Sequence, residues 1–104
     1  MPFVPEGARI DQEKDKRLSS VAKILAECSS IHSVATHLIQ DQPWDFMEVY
    51  HDAIDHFCHG FMRYHPPKQE HVKQDDFDLY TDVVVGGYRF HDMMLGSKMR
   101  LVRP

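Results

Sequence analysis

The sequence predicts an α/β fold, with about three helices packed around one core strand. Apolar side chains recur every three or four residues over 11–40 and again over 75–98, which is the spacing of amphipathic helices. Between these stretches, residues 44–50 read WDFMEVY, a short run rich in aromatic and β-branched types. Such a run is typical of a strand that is covered on both faces.

Size and composition limit the classes of protein to which the chain can belong. Its 104 residues are enough for one small domain, and a hydrophobic content of 42% argues against wholesale disorder. The net charge is -4 and the basic residues are scattered, so no nucleic-acid partner is expected. The sequence contains neither an apolar run of membrane-spanning length nor a signal peptide. We therefore predict a cytoplasmic protein without a membrane partner.

The first half of the chain is predicted to be helical after a short extended segment. Residues 1–10 hold two prolines and a glycine, which favour an extended leading segment. Over 11–40, one helix is expected to run to about residue 28. Ser29 and Ser30 then suggest a break and a new N-cap, followed by a second helix. Pro43 ends this helical part, because a proline disfavours helix at the residue before it.

The second half is predicted to contain the core strand, a loop and a further helix. Residues 44–64 are interpreted as the strand 44–50 followed by a turn or helix that carries three of the eight histidines. A loop is expected over 65–74, where two adjacent prolines exclude regular helix. Residues 75–98 show helical recurrence, although VVVGGYRF within them also resembles a hairpin with a Gly-Gly turn.

The main candidate for chemistry is the stretch YHDAIDHFCHGFMRYH, residues 50–65, with four histidines and two aspartates. Asp55 and His59 are four residues apart, so a helical turn places both on one face and in reach of one cation. A carboxylate and an imidazole suit Zn²⁺, Mn²⁺ or Fe²⁺. His51 and His56 extend this face as weaker candidate ligands. If 44–50 is a parallel strand, the pair also lies beyond its carboxyl end, where open α/β sheets bind ligands.

Plainer interpretations of the same residues remain open. The spacing of Asp55 and His59 is also that of two surface side chains that pair with each other in water. His91 is interpreted as a core histidine that is satisfied by a hydrogen bond. The two cysteines form neither a disulfide framework nor a pair with metal-binding spacing. No P-loop, nucleophile elbow or dinucleotide-binding glycine pattern is present.

Several longer motifs resemble a known family. The run QPWDFMEVYHDAIDHFCHGFMRYHPP, with IDQEKDKRLSSVAKILAECSSIHSVAT before it and YRFHDMMLG after it, is similar to bacterial members of the alkaline phosphatase superfamily. The resemblance is to the type I phosphodiesterase/nucleotide pyrophosphatase branch and covers about residues 3–96. It implies that the chain is a fragment of an alkaline-phosphatase-like α/β/α sandwich, and it favours helix over hairpin after the loop.

The resemblance also implies a function. It assigns Asp55 and His59 to one of two catalytic metal ions, zinc or alternatively manganese, in an enzyme that hydrolyses phosphate esters. The family's nucleophile and its Asp-His-Gly motif are expected outside this segment, and no such motif occurs in the sequence. The resemblance therefore implies an internal piece that is inactive alone and self-associates through exposed apolar surface. The alternative is a self-contained histidine-rich module that binds metal through His51, Asp55, His56 and His59.

Overall fold

The computed structural model describes residues 3–102, and this part of the chain is helical with no strand. The leading segment predicted for residues 1–10 is thus described from Phe3 onward, and its first two residues lie outside the described part. Within residues 3–102, no helix is long and apolar enough to cross a membrane. The helices are α1 (Arg17–Asp41), α2 (Ala53–Phe61), α3 (Gln74–Tyr80) and α4 (Val83–Val102), with 3-10 turns at Gly7–Arg9 and Met62–Tyr64.

The predicted α/β fold and its core strand at 44–50 are wrong. These residues form an irregular connection between α1 and α2, and Phe46 and Tyr50 are 81% and 76% exposed. A strand needs a neighbouring strand to accept and donate its backbone hydrogen bonds. Residues 3–102 contain no other strand, so the strand-favouring residues of 44–50 have no sheet to join. Residues 3–102 are therefore all-helical and do not form an α/β/α sandwich.

The hydrophobic core lies where α1, α2 and α4 meet one another. Helix α2 is central, and its Phe57 is 1% exposed. Helix α4 contributes Met94, which is also 1% exposed, and α3 contributes the fully buried Tyr80. The other buried apolar side chains are Phe3, Val4, Val21, Cys28, Ala35, Ala53, Phe61, Tyr64, Val72, Val83 and Val84.

The Gly-Gly pair in VVVGGYRF lies inside helix α4 and does not form a hairpin turn. A Cβ atom on Gly87 would lie 2.7 Å from Cδ2 of Phe57, and one on Gly86 would lie 2.7 Å from Cδ1 of Phe3. Both distances are shorter than carbon atoms tolerate without movement. The two glycines therefore allow α4 to approach α2 and the leading segment closely, which explains their presence in a helix.

Two predicted helix boundaries differ from the structure. Helix α1 continues through Ser29 and Ser30 without a break. The Ser30 hydroxyl donates to the carbonyl oxygen of Ala26 at 3.0 Å, so it is bonded within the helix and does not act as an N-cap. The helix expected over 75–98 is two helices, α3 and α4, separated by a turn at residues 81–82.

A polar network joins the start of α1 to α3 and to the second 3-10 turn. The Arg17 guanidinium donates to both carboxylate oxygens of Asp15, each at 2.8 Å, and to Asp76 at 2.9 Å. It also donates to the Tyr64 hydroxyl at 3.0 Å, while the Tyr80 hydroxyl donates to Asp15 at 2.7 Å. The guanidinium carbon lies 4.5 Å from the centre of the Tyr80 ring, so the charge is also held by an aromatic face.

Candidate metal sites

Helix α2 presents an apolar face to the core and a polar face to solvent. Ala53, Phe57 and Phe61 are buried on the first face. On the second, Nε2 of His59 lies 3.2 Å from Oδ1 of Asp55, and these side chains are 79% and 69% exposed. The one-turn spacing in the sequence thus places the two groups side by side on the surface.

This arrangement is shared by other pairs of the chain. His56 and Asp52 are also four residues apart, with Nε2 and Oδ2 separated by 3.1 Å. On α1, Nδ1 of His37 lies 2.7 Å from Oδ2 of Asp41. Geometry alone therefore does not distinguish Asp55 and His59 from an ordinary surface pair.

The donor atoms of Asp55 and His59 fit a small divalent cation. Tetrahedral zinc with bonds of about 2.0–2.1 Å to nitrogen and oxygen has its ligand atoms about 3.3 Å apart. The observed separation of 3.2 Å is close to this value. The pair supplies two ligands, so any further ligands would be water or groups from elsewhere.

A different group of donors surrounds His51, which lies just before α2. Within residues 3–102, one set of three potential ligands is brought together, namely Cys28, His51 and His91, with one donor atom of each within 4.8 Å of the others. The Cys28 sulfur lies 3.5 Å from Nδ1 of His51 and 3.8 Å from the Met94 sulfur. His51 therefore lies with residues of α1 and α4. The four candidate ligands predicted from the sequence, His51, Asp55, His56 and His59, thus do not meet at one point.

The positions of these donors follow from how the helices cross. Gly87, His91 and Met94 occupy one face of α4, because they are separated by four and three residues. Met94 on this face contacts Cys28 of α1, which is 3% exposed. The close approach that Gly87 permits at Phe57 draws α4 toward α2, and with it toward His51.

The two ring nitrogens of His91 differ in their hydrogen bonding. Nδ1 lies 3.1 Å from the carbonyl oxygen of Gly87 and must carry the proton, since a carbonyl oxygen only accepts. Nε2 is then an acceptor, and it is buried without a hydrogen-bond partner among residues 3–102. The predicted core histidine is thus satisfied at one nitrogen only.

Lys98 lies at the edge of this group. Its ammonium nitrogen is 3.3 Å from Nε2 of His51 and 3.0 Å from Nδ1 of His32, and both ring nitrogens accept because an ammonium only donates. Burial lowers the pKa of both histidines, and the Lys98 charge adds to this effect. Burial also lowers the pKa of Lys98 and raises the pKa of the Cys28 thiol. Neutral imidazoles and a protonated thiol are therefore favoured.

Sequence reasoning missed Cys28 and His91 as possible ligands. Cys28 precedes His51 by 23 residues, and His91 lies on another helix. Such long sequence separations match no known ligand spacing. The residues meet only because α1 and α4 cross, which the sequence pattern does not show. Of these three residues, the sequence predicts only His51, as a weaker candidate ligand.

Comparison with family models, curated proteins and solved structures found no match to this chain. The resemblance to the phosphodiesterase family therefore stays a prediction that rests on the motifs quoted above.

Proposed function

We propose that this chain is part of a metal-dependent phosphoric ester hydrolase of the phosphodiesterase/nucleotide pyrophosphatase type. In this proposal Asp55 and His59 are two ligands of one divalent cation, Zn²⁺ or alternatively Mn²⁺. The substrate is a phosphate ester, and the compartment is the cytoplasm. The observation that supports the proposal is the exposed Asp55–His59 pair, 3.2 Å apart, inside the motif DAIDHFCHGF.

The exposure of the pair determines what it can do alone. Asp55 offers a carboxylate oxygen, and His59 ligates only as a neutral imidazole. A catalytic zinc takes three protein ligands, so two ligands open to solvent predict weak binding. When bound, the cation would polarise a phosphoryl oxygen of the substrate. We therefore expect this chain by itself to bind metal weakly and to turn over no substrate.

The self-contained module has less support. It would need His51, Asp55, His56 and His59 to converge on one ion. Instead His51 lies with Cys28, His56 pairs with Asp52, and Asp55 pairs with His59.

A manganese titration tests the assignment of the two ligands. Mn²⁺ prefers oxygen and imidazole ligands to thiolates, so it reports on the carboxylate–histidine pairs. We expect Asp55→Asn and His59→Gln to weaken binding at least about tenfold, measured from the free Mn²⁺ signal in electron paramagnetic resonance. Asp52→Asn and His56→Gln are matched controls on the same helix and should leave binding unchanged. Equal losses in both pairs, or no loss in either, would contradict the assignment.

Activity and gene context test the rest of the proposal. We expect no hydrolysis of p-nitrophenyl phosphate esters with Zn²⁺ or Mn²⁺ at any concentration. Metal-dependent hydrolysis by the pure chain would overturn the prediction that the isolated chain is inactive. The coding DNA beside this reading frame should encode a threonine or serine nucleophile upstream, or Asp-His-Gly downstream. Flanking DNA with neither would remove the support for a partial hydrolase.

A further inference from the structure

A group of sulfur and nitrogen donors lies where α1 and α4 cross, apart from the Asp55–His59 pair. We propose that Cys28, His51 and His91 form a second metal site, which binds a thiophilic cation such as Cu⁺ or Zn²⁺, with the Met94 thioether as a fourth ligand. This site is independent of the proposed hydrolase function, and its ligands come from two long helices and the connection before α2.

Two distances in the group match those between ligands of one tetrahedral ion. With metal–sulfur bonds of about 2.3 Å and metal–nitrogen bonds of about 2.0–2.1 Å, sulfur and nitrogen ligands lie about 3.5 Å apart. The Cys28 sulfur and Nδ1 of His51 are separated by 3.5 Å. Two sulfur ligands lie about 3.8 Å apart in the same geometry, and the Cys28 and Met94 sulfurs are separated by 3.8 Å. The group is thus close to ligand spacing before any ion binds.

His91 has the hydrogen bonding of a metal ligand. Ligating histidines donate their second ring N–H to a carbonyl or carboxylate, which orients the ring. In His91, Nδ1 donates to the Gly87 carbonyl oxygen, and the buried Nε2 lacks a partner within residues 3–102. An unpartnered buried acceptor is costly, and a cation would satisfy it. One donor atom from each of Cys28, His51 and His91 lies within 4.8 Å of the other two, so bringing these atoms to ligand spacing needs changes in separation of at most about 1.5 Å.

The chemistry of the donors selects the cation. A thiolate, a thioether and two imidazoles suit Cu⁺ and Zn²⁺, whereas Mg²⁺ and Mn²⁺ prefer oxygen. Cys28 and Met94 are 3% and 1% exposed, so a bound ion would be shielded from water on that side. The site would differ in metal preference from the exposed carboxylate–histidine pair on α2.

Binding requires three changes in the donors. Because Nε2 of His51 accepts from Lys98, its Nδ1 carries the ring proton, which must move to Nε2 before Nδ1 can ligate. The Cys28 thiol must release its proton to solvent, since the thiolate is the ligand. Lys98 must withdraw its ammonium, which is 3.3 Å from Nε2 of His51, because its positive charge opposes a cation there. Lys98→Met should therefore tighten metal binding at least about tenfold.

Optical titration with Co²⁺ tests the site on the reduced, metal-free chain. A bound thiolate produces a sulfur-to-cobalt charge-transfer band in the near ultraviolet. We expect a band that saturates at one equivalent, disappears in Cys28→Ala and requires at least about tenfold more Co²⁺ in His91→Gln. Cys58→Ala, which removes the other cysteine, and Asp55→Asn should leave the band unchanged. Zn²⁺ and Cu⁺ should displace Co²⁺, and the cation effective at lower concentration identifies the preference.

A measurement on the unmodified chain avoids variants that fail to fold. Saturating Zn²⁺ should slow alkylation of Cys28 at least about tenfold, read by mass spectrometry, and leave alkylation of Cys58 unchanged. The proposal is overturned if the wild-type chain shows no charge-transfer band, if the band depends on Cys58, or if Zn²⁺ protects neither cysteine. Loss of Mn²⁺ binding in Asp55→Asn would not affect any of these results.

Discussion

Asp15 shows how a single carboxylate can hold two helices together. The hydrogen bonds from the Arg17 guanidinium hold the pKa of Asp15 well below its ordinary value, against the opposing effect of burial. Hydrogen bonds from the Arg17 backbone N–H and the Tyr80 hydroxyl also lower the pKa of Asp15. Because the folded-state pKa is lowered, the stabilisation is fully present above the unfolded-state pKa of about 3.9 and is lost as the pH falls below it.

At the residue scale, we predict that Asp15→Asn lowers the free energy of unfolding by about 2 kcal/mol at pH 7, since it weakens charge-assisted hydrogen bonds. The difference from the wild-type chain should shrink as the pH falls below about 4. Urea unfolding at several pH values measures both effects. Asp92→Asn, an exposed position on α4, is the control and should change little. A difference that stays constant down to pH 2 would contradict the role of the charge.

At the scale of elements, α4 shows which part of a helix the sequence predicts. The helical recurrence within residues 75–98 includes Tyr88 and Leu95, yet these side chains are 56% and 57% exposed. The buried side of α4 contains Val84, which belongs to this recurrence, together with Gly87 and Met94, which do not. Periodicity predicted the helix, whereas close approach at a glycine decided which side faces the core.

Helix α4 also provides a matched pair of glycine substitutions. We predict that Gly87→Ala lowers the free energy of unfolding by about 1–3 kcal/mol, because the new methyl group would overlap the buried Phe57 ring. Gly96→Ala should raise it by about 0.5–1 kcal/mol, since its Cβ would meet only the end of Arg100 at 3.9 Å and alanine favours helix. Thermal unfolding followed by circular dichroism measures both. If Gly87→Ala were as stable as Gly96→Ala, this result would contradict the close contact between α4 and α2 at Gly87.

At the scale of the whole molecule, the chain is elongated and leaves apolar surface uncovered. Its radius of gyration is 16.3 Å, whereas a compact chain of this length has about 13 Å. The last part of α1 and the connection that follows it line an apolar groove of about 400 Å³, and Val34 in it is 59% exposed. Uncovered apolar surface of this kind favours association with other molecules.

We predict that the chain self-associates through this groove. Tyr50, which lines the groove and is 76% exposed, is the position to change. Tyr50→Ser should weaken self-association several-fold in sedimentation velocity. Tyr88→Ser makes the same substitution at an exposed tyrosine outside the groove and is the control. A chain that is monomeric at every concentration, or equal effects of both variants, would contradict the prediction.

The sequence by itself determined the features that depend on near neighbours along the chain. Helical recurrence predicted helix over most of α1 and α4, and the spacing of Asp55 and His59 predicted that they share a face. Both follow from the 3.6-residue turn, which is a local property.

Tertiary structure decided what depends on distant partners. The run 44–50 has strand composition, yet it forms no strand because residues 3–102 supply no second strand to bond with it. Cys28, His51 and His91 come from three separate parts of the chain and meet where α4 packs against α1 and α2, an approach that Gly87 permits at Phe57. Hydrogen-bond partners and crossing helices are non-local, so a pattern within one segment cannot specify them.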